Sequence, residues 1–154
     1  MIKRLFEVVL ASLAVYAEKA LSAQAEGGSQ MMLPGYSASS DYSALSATRY
    51  IFVQATGART AMQCINPTST AVLGVMQNNP ARGEAMSIAY AGPSKVVAGG
   101  ALTVNALITT NTSGRAAAVT SGDMVAGRVL EASGADGDVI SCLLFHPVRW
   151  AGAA

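Results

Sequence analysis

Residues 92–145, GPSKVVAGGALTVNALITTNTSGRAAAVTSGDMVAGRVLEASGADGDVISCLLF, decide the fold class. Short runs of Val, Ile, Leu, Ala and Thr alternate there with Gly, Ser, Asn and Asp punctuation every eight to twelve residues. That is the rhythm of consecutive short strands in an antiparallel β-sandwich or barrel. Within it, 95–98, 101–104, 107–109, 116–120, 125–132 and 139–145 read as strands, with Gly92-Pro93 as a turn and Pro147 ending the last strand. Val139, Ser141, Leu143 and Phe145 alternate with Ile140, Cys142 and Leu144, so both faces are apolar and a strand that is central or covered on both sides is expected. The stretch contains no phosphate cradle, paired carboxylates or His/Cys cluster, which points to a surface that binds by contact.

Upstream, 50–54, 60–65, 71–77 and 85–90 read as four further strands, separated by Gly57, Asn66-Pro67 and the run Asn78-Asn79-Pro80-Ala81-Arg82-Gly83. Residues 49–154 therefore form one β domain. Residues 27–48 are rich in Ser, Gly and Ala and carry no sustained period, which predicts an extended arm or linker. Met31, Met32, Leu33, Tyr36, Tyr42 and Leu45 make it too apolar for a purely solvated tether, so it is expected to order on a surface. In residues 1–26, Ile2, Phe6, Val9, Leu13, Tyr16, Ala20 and Ala23 recur at spacings of four and three and predict an α-helix with one apolar seam, ended by Gly27-Gly28.

Only 12% of the 154 residues are charged, about half the usual share, so the surface is better suited to burial against other proteins than to isolation in water. The net charge of +1 has no basic run beyond Lys3-Arg4, which argues against nucleic acid as a partner. The uncharged run 8–17 is far short of the roughly 20 residues of a membrane span. Lys3-Arg4, that apolar run and Ser22-Ala23-Gln24-Ala25 imitate a secretory signal, although Glu7 enters the apolar region early. Cys64 and Cys142 permit one disulfide, but each sits in an apolar, strand-like context that favours a buried thiol.

His146, the single histidine, would have to serve any Ser-His-Asp arrangement. Asp136-Gly137-Asp138 carries too few neighbouring carboxylates for a calcium site and reads as a hairpin turn. No catalytic residue, metal ligand or cofactor is therefore assigned. The expected contact residues are Phe6, Val9, Leu13 and Tyr16 on the seam, Met31, Met32, Tyr36 and Tyr42 on the arm, and Trp150 in the tail. Arg82 and Arg115, at turns, are expected to pair with acidic groups on a neighbour.

The order Gly-Pro, Val-Val-Ala-Gly-Gly, Ala-Leu-Thr, Thr-Asn-Thr-Ser-Gly-Arg-Ala, Val-Ala-Gly-Arg-Val-Leu-Glu-Ala and Gly-Asp-Val-Ile, clearest over 85–145, resembles the capsid cement, or head decoration, proteins of tailed bacteriophages. Asn105 stands where many of those proteins carry Gly. The resemblance implies a non-enzymatic β module on the outer surface of the virion capsid, usually a homotrimer, that reinforces contacts between major capsid proteins. Two readings compete with it: a secreted module for carbohydrate or surface adhesion with residues 1–25 as its signal, and a small hydrolase using His146.

Overall fold

The computed structural model describes residues 30–43, 49–63 and 72–151. The expected helix over 1–26, and Cys64, lie outside the described residues. Among the described residues nine strands make the molecule mainly β: β1 (Met31–Ala38), β2 (Phe52–Gly57), β3 (Thr60–Gln63), β4 (Val72–Met76), β5 (Ala85–Gly99), β6 (Leu107–Thr110), β7 (Ala116–Ala118), β8 (Met124–Val129) and β9 (Asp136–Arg149).

The pairings are organised by β5. Its first half, up to Ala91, pairs with β4 and β1, and β3 and β2 link those two through their other sides. Its second half, from Gly92, pairs with β9 along its length and with β7 at Ala98↔Ala116, while β6 and β8 complete the circuit. Each circuit thus returns to β5. The expected all-antiparallel pattern is corrected to a mixed one, because β1–β3 and β5–β7 run parallel.

Gly92-Pro93 reads as a turn in the sequence, but β5 continues through it. Gly92 takes a φ of 92°, open to glycine and costly to other residues, and there β5 passes from one set of neighbours to the other. The strand expected at 101–104 is reduced to one bridge, Leu102↔Ser133, followed by a turn. In that turn Asn105 has a φ of 68°, a conformation that Asn tolerates better than most residues. The strand expected to run to Ala132 ends at Val129. Pro147 does not end the last strand, because β9 bulges around it: Gly127↔Leu144 is followed by Val125↔Val148, four residues on β9 against two on β8. The ring lacking an N–H falls inside this irregular step.

Residues 31–38, placed by the sequence in an arm, are part of the sheet. Met32↔Ala89 and Leu33↔Ile88 tie β1 to β5, and Ser37↔Thr60 ties it to β3.

Two apolar clusters fill the interior. One gathers Ala38, Ile51, Val53, Ala61, Met76, Met86 and Ile88 from β1 to β5 and the segment before β2. The other joins Ile108, Ala116, Val129, Ile140, Cys142 and Leu144 to Phe52, Val75 and Ala89. Because successive strand residues point to opposite faces, Phe52 enters one cluster while its neighbours Ile51 and Val53 enter the other. Tyr50, held at a φ of 67°, packs against both. Val97 is covered by the first cluster and Val96 by the second, so β5 is a wall common to both.

Candidate functional site

The described surface offers two apolar features. The first is an outward stripe on β8 and β9. Ile140, Cys142 and Leu144 point inward, which leaves Val139 (50% exposed) and Leu143 (41%) outside, with Leu130 (46%) beside them. Register makes these neighbours: Leu143 lies opposite Arg128, and the Leu130 N–H donates to the Ser141 carbonyl at 2.9 Å. Of the two alternatives expected for the last strand, central or covered on both faces, the structure gives the first. β9 has strand neighbours on both sides, but one face is open among the described residues.

The second feature is a groove of about 300 Å³ lined by Leu33 and Tyr36 of β1, Val72 and Leu73 of β4, Tyr90 of β5, and His146 and Pro147 of β9. It lies where β5 changes neighbours, and among the described residues no charged side chain lines it.

The expected contact residues divide among these features and the interior. Met31 and Met32 are exposed at the start of β1, and Tyr36 is half-buried in the groove wall. Tyr42 is corrected to a core residue: it is buried in the first cluster, and its hydroxyl accepts the Gln63 N–H at 2.7 Å. Arg115 makes an internal pair: its Nη1 donates to both carboxylate oxygens of Asp136 at 2.7 Å. At that exposure such a pair contributes at most about 1 kcal/mol. Arg82 is exposed in the turn between β4 and β5. Trp150 is 38% exposed, with its backbone bonded to the Gly122–Asp123 turn. Phe6, Val9, Leu13 and Tyr16 lie outside the described residues.

The polar groups that suggested chemistry have structural work. Asp138 Oδ2 accepts the N–H groups of Gly134 and Ala135, and so shapes the loop that leads into β9. Asp136-Gly137-Asp138 is thus the start of that strand and not the hairpin turn expected. Asp123 Oδ2 accepts from both the backbone and the hydroxyl of Thr120. His146 Nδ1 lies 3.2 Å from the carbonyl oxygen of Pro147. Among the described residues no group of three or more His, Cys, Asp or Glu side chains is gathered to hold a metal ion.

Burial pushes the Cys142 thiol up to about 12, with the nearby Glu131 charge adding to the rise and a backbone hydrogen bond from Leu130 opposing it. An unfolded thiol ionises near pH 8.5. Because the folded value is the higher one, this contribution to stability is complete below about pH 8.5 and is lost as pH rises toward 12. Native protein at pH 8 is accordingly expected to resist alkylation at Cys142, with modification following the denaturant unfolding curve. Mass spectrometry of the Cys142 peptide measures this, and rapid native labelling would show that the thiol is accessible.

No family model and no curated protein matches the chain. Among solved structures, the fold is similar to the head fiber gp8.5 N base of bacteriophage phi29, with a TM-score of 0.56 and 14% identity over 78% of this chain and 96% of that one. At that identity the likeness is one of fold.

Sequence reading missed Leu73, Tyr90 and Pro147 in the groove and the Leu130–Val139–Leu143 stripe. The alternation on 139–145 contained the stripe, since one of its two apolar faces had to look outward unless a second layer covered it. Nothing local signalled the groove, whose walls come from four strands that are distant in sequence.

Proposed function

We propose that this chain is a structural protein of a bacteriophage virion, one that binds the outer surface of the assembled capsid as a homotrimer and reinforces contacts between major capsid proteins. The observation that carries this reading is the shared fold with a phage head fiber base, which extends over nearly all of that chain. The order of motifs over 85–145, which resembles capsid cement proteins, points the same way. The low charge and the exposed Leu130–Val139–Leu143 stripe supply a contact surface of the kind such a role needs. Contacts that are individually weak become strong when repeated over a lattice.

The test uses capsid shells from the host phage that lack this protein. Adding the purified chain is expected to decorate them in stoichiometric amounts and to raise the temperature at which they rupture. Leu143→Arg, which changes an exposed side chain, is expected to weaken uptake about tenfold or more while leaving the fold intact. Shells that neither take up the chain nor gain heat resistance would refute the proposal.

A further inference from the structure

The groove at the β5 handover has a chemistry that limits what can fill it. Its walls are Leu33, Val72, Leu73 and Pro147, with the rings of Tyr36, Tyr90 and His146 between them, and among the described residues no charged group is present to fix an ionic ligand. On the same strands Met31 (55% exposed), Met32 (42%) and Val148 (55%) are exposed apolar side chains. An uncharged groove with apolar walls suits inserted apolar side chains, with the tyrosine hydroxyls and the imidazole left to bond a polypeptide backbone.

The chain supplies such side chains close by. Twenty-nine residues precede Gln30, and in sequence they carry the seam Ile2, Phe6, Val9, Leu13, Tyr16, Ala20 and Ala23. A seam of that kind is stable in water only when something covers it. Seven residues, 24–30, separate Ala23 from Met31, and they include Gly27-Gly28. A tether of that length spans at most about 25 Å, at roughly 3.3–3.6 Å per residue. Glycine places no steric bar on a reversal of the chain. The tether joins the strand whose Leu33 and Tyr36 form the groove wall. For so short a linker the effective concentration of the seam at the groove is on the order of millimolar, above what a separate molecule reaches at ordinary protein concentrations.

We infer that the groove is the docking site for the apolar seam of residues 2–23 of the same chain, with Leu13 and Tyr16, the large seam residues nearest the tether, as its anchors. The polar side of the segment, with Lys3, Glu7 and Glu18, then faces outward. This inference replaces the expectation that the seam itself grips a neighbour. It does not depend on the virion role, because no shell enters its test.

The test is hydrogen–deuterium exchange of the full chain, read peptide by peptide. In the unmodified protein the amides of residues 2–23 are expected to exchange at least about tenfold more slowly than in the denatured chain, equally so over roughly a hundredfold dilution. His146→Asp, at an exposed position, and Leu73→Asp each place a carboxylate in the groove. Each is expected to remove most of that protection while β5 and β8 stay protected. In the converse experiment, Leu13→Asp and Tyr16→Asp, which lie outside the described residues, are expected to speed exchange in the peptides containing Leu33–Tyr36 and His146–Val148 while β5 and β8 stay protected. Three results overturn the inference: fast exchange of 2–23 in the unmodified chain, protection there that survives both groove carboxylates, or protection lost on dilution, which would make the occupant a second copy.

Discussion

Gly74→Ala is expected to cost about 4 kcal/mol or more, enough to leave much of the protein unfolded at 37 °C. Gly74 lies in β4 with a φ of 154°, and a Cβ there would be driven into the carbonyl oxygen of Ala89 on β5, with the Ala89 carbon and the Tyr90 Cα each at 2.9 Å. These are backbone atoms of the strand shared by both circuits, so no side chain can swing aside to make room. The methyl group must either part β4 from β5 or bend β5 near its handover. In the first case Val75↔Ala89 and Met76↔Ile88 lose their pairing. Urea or thermal denaturation of the variant measures the effect. A loss under about 1 kcal/mol would mean that β4 and β5 slide apart more easily than their packing suggests.

Phe52→Ala is expected to cost roughly 3–5 kcal/mol, the range for removing a fully buried aromatic ring. Phe52 has no exposed surface and is among the largest fully buried side chains. Its place in the fold makes the loss more than local. It belongs to β2, which pairs with β3 and β4, yet its ring fills the cluster built mainly by β6 to β9, and its N–H donates to the Gly114 carbonyl at 2.7 Å. Exchange protection is expected to fall together in Ile108, Val129 and Leu144, far along the chain from the substitution. If only residues of β2 and β4 lost protection, the two clusters would be independent units.

How much of this was legible in the sequence depended on whether the determining contacts were local. β4, β6 and β8 stand close to where their Val, Ile and Met runs placed them, because one buried face and bounding turns are enough to specify a short strand. β1 escaped because Pro34-Gly35 interrupts it, and its pairing with β5 slips between Leu33 and Tyr36, so no period of two survives in Met-Met-Leu-Pro-Gly-Tyr. The joining of 85–90 and 95–98 into β5 escaped because Gly-Pro is ordinarily turn chemistry. Only the change of neighbours at Gly92 explains why an extended chain uses it. Long-range pairs were out of reach by nature. Arg115 meets Asp136, 21 positions away, and a turn arginine carries no mark of whether its partner is internal or on another molecule. Tyr42 read as an arm contact for the same reason: the Gln63 amide that its hydroxyl satisfies is visible only once β3 is in place.

The return of both circuits to β5 bears on how the protein behaves in crowds. Each of the nine described strands has pairing partners on two sides over at least part of its length, so none of them offers a bare row of N–H and C=O groups to another molecule from end to end. A surface this poor in charge gets little protection from electrostatic repulsion, and an unsealed sheet with such a surface would invite edge-to-edge polymerisation at high local concentration. This pairing supplies part of the colloidal safety that the side chains do not. It leaves the choice of partner mainly to side-chain faces and disfavours edge-to-edge fusion of neighbouring copies.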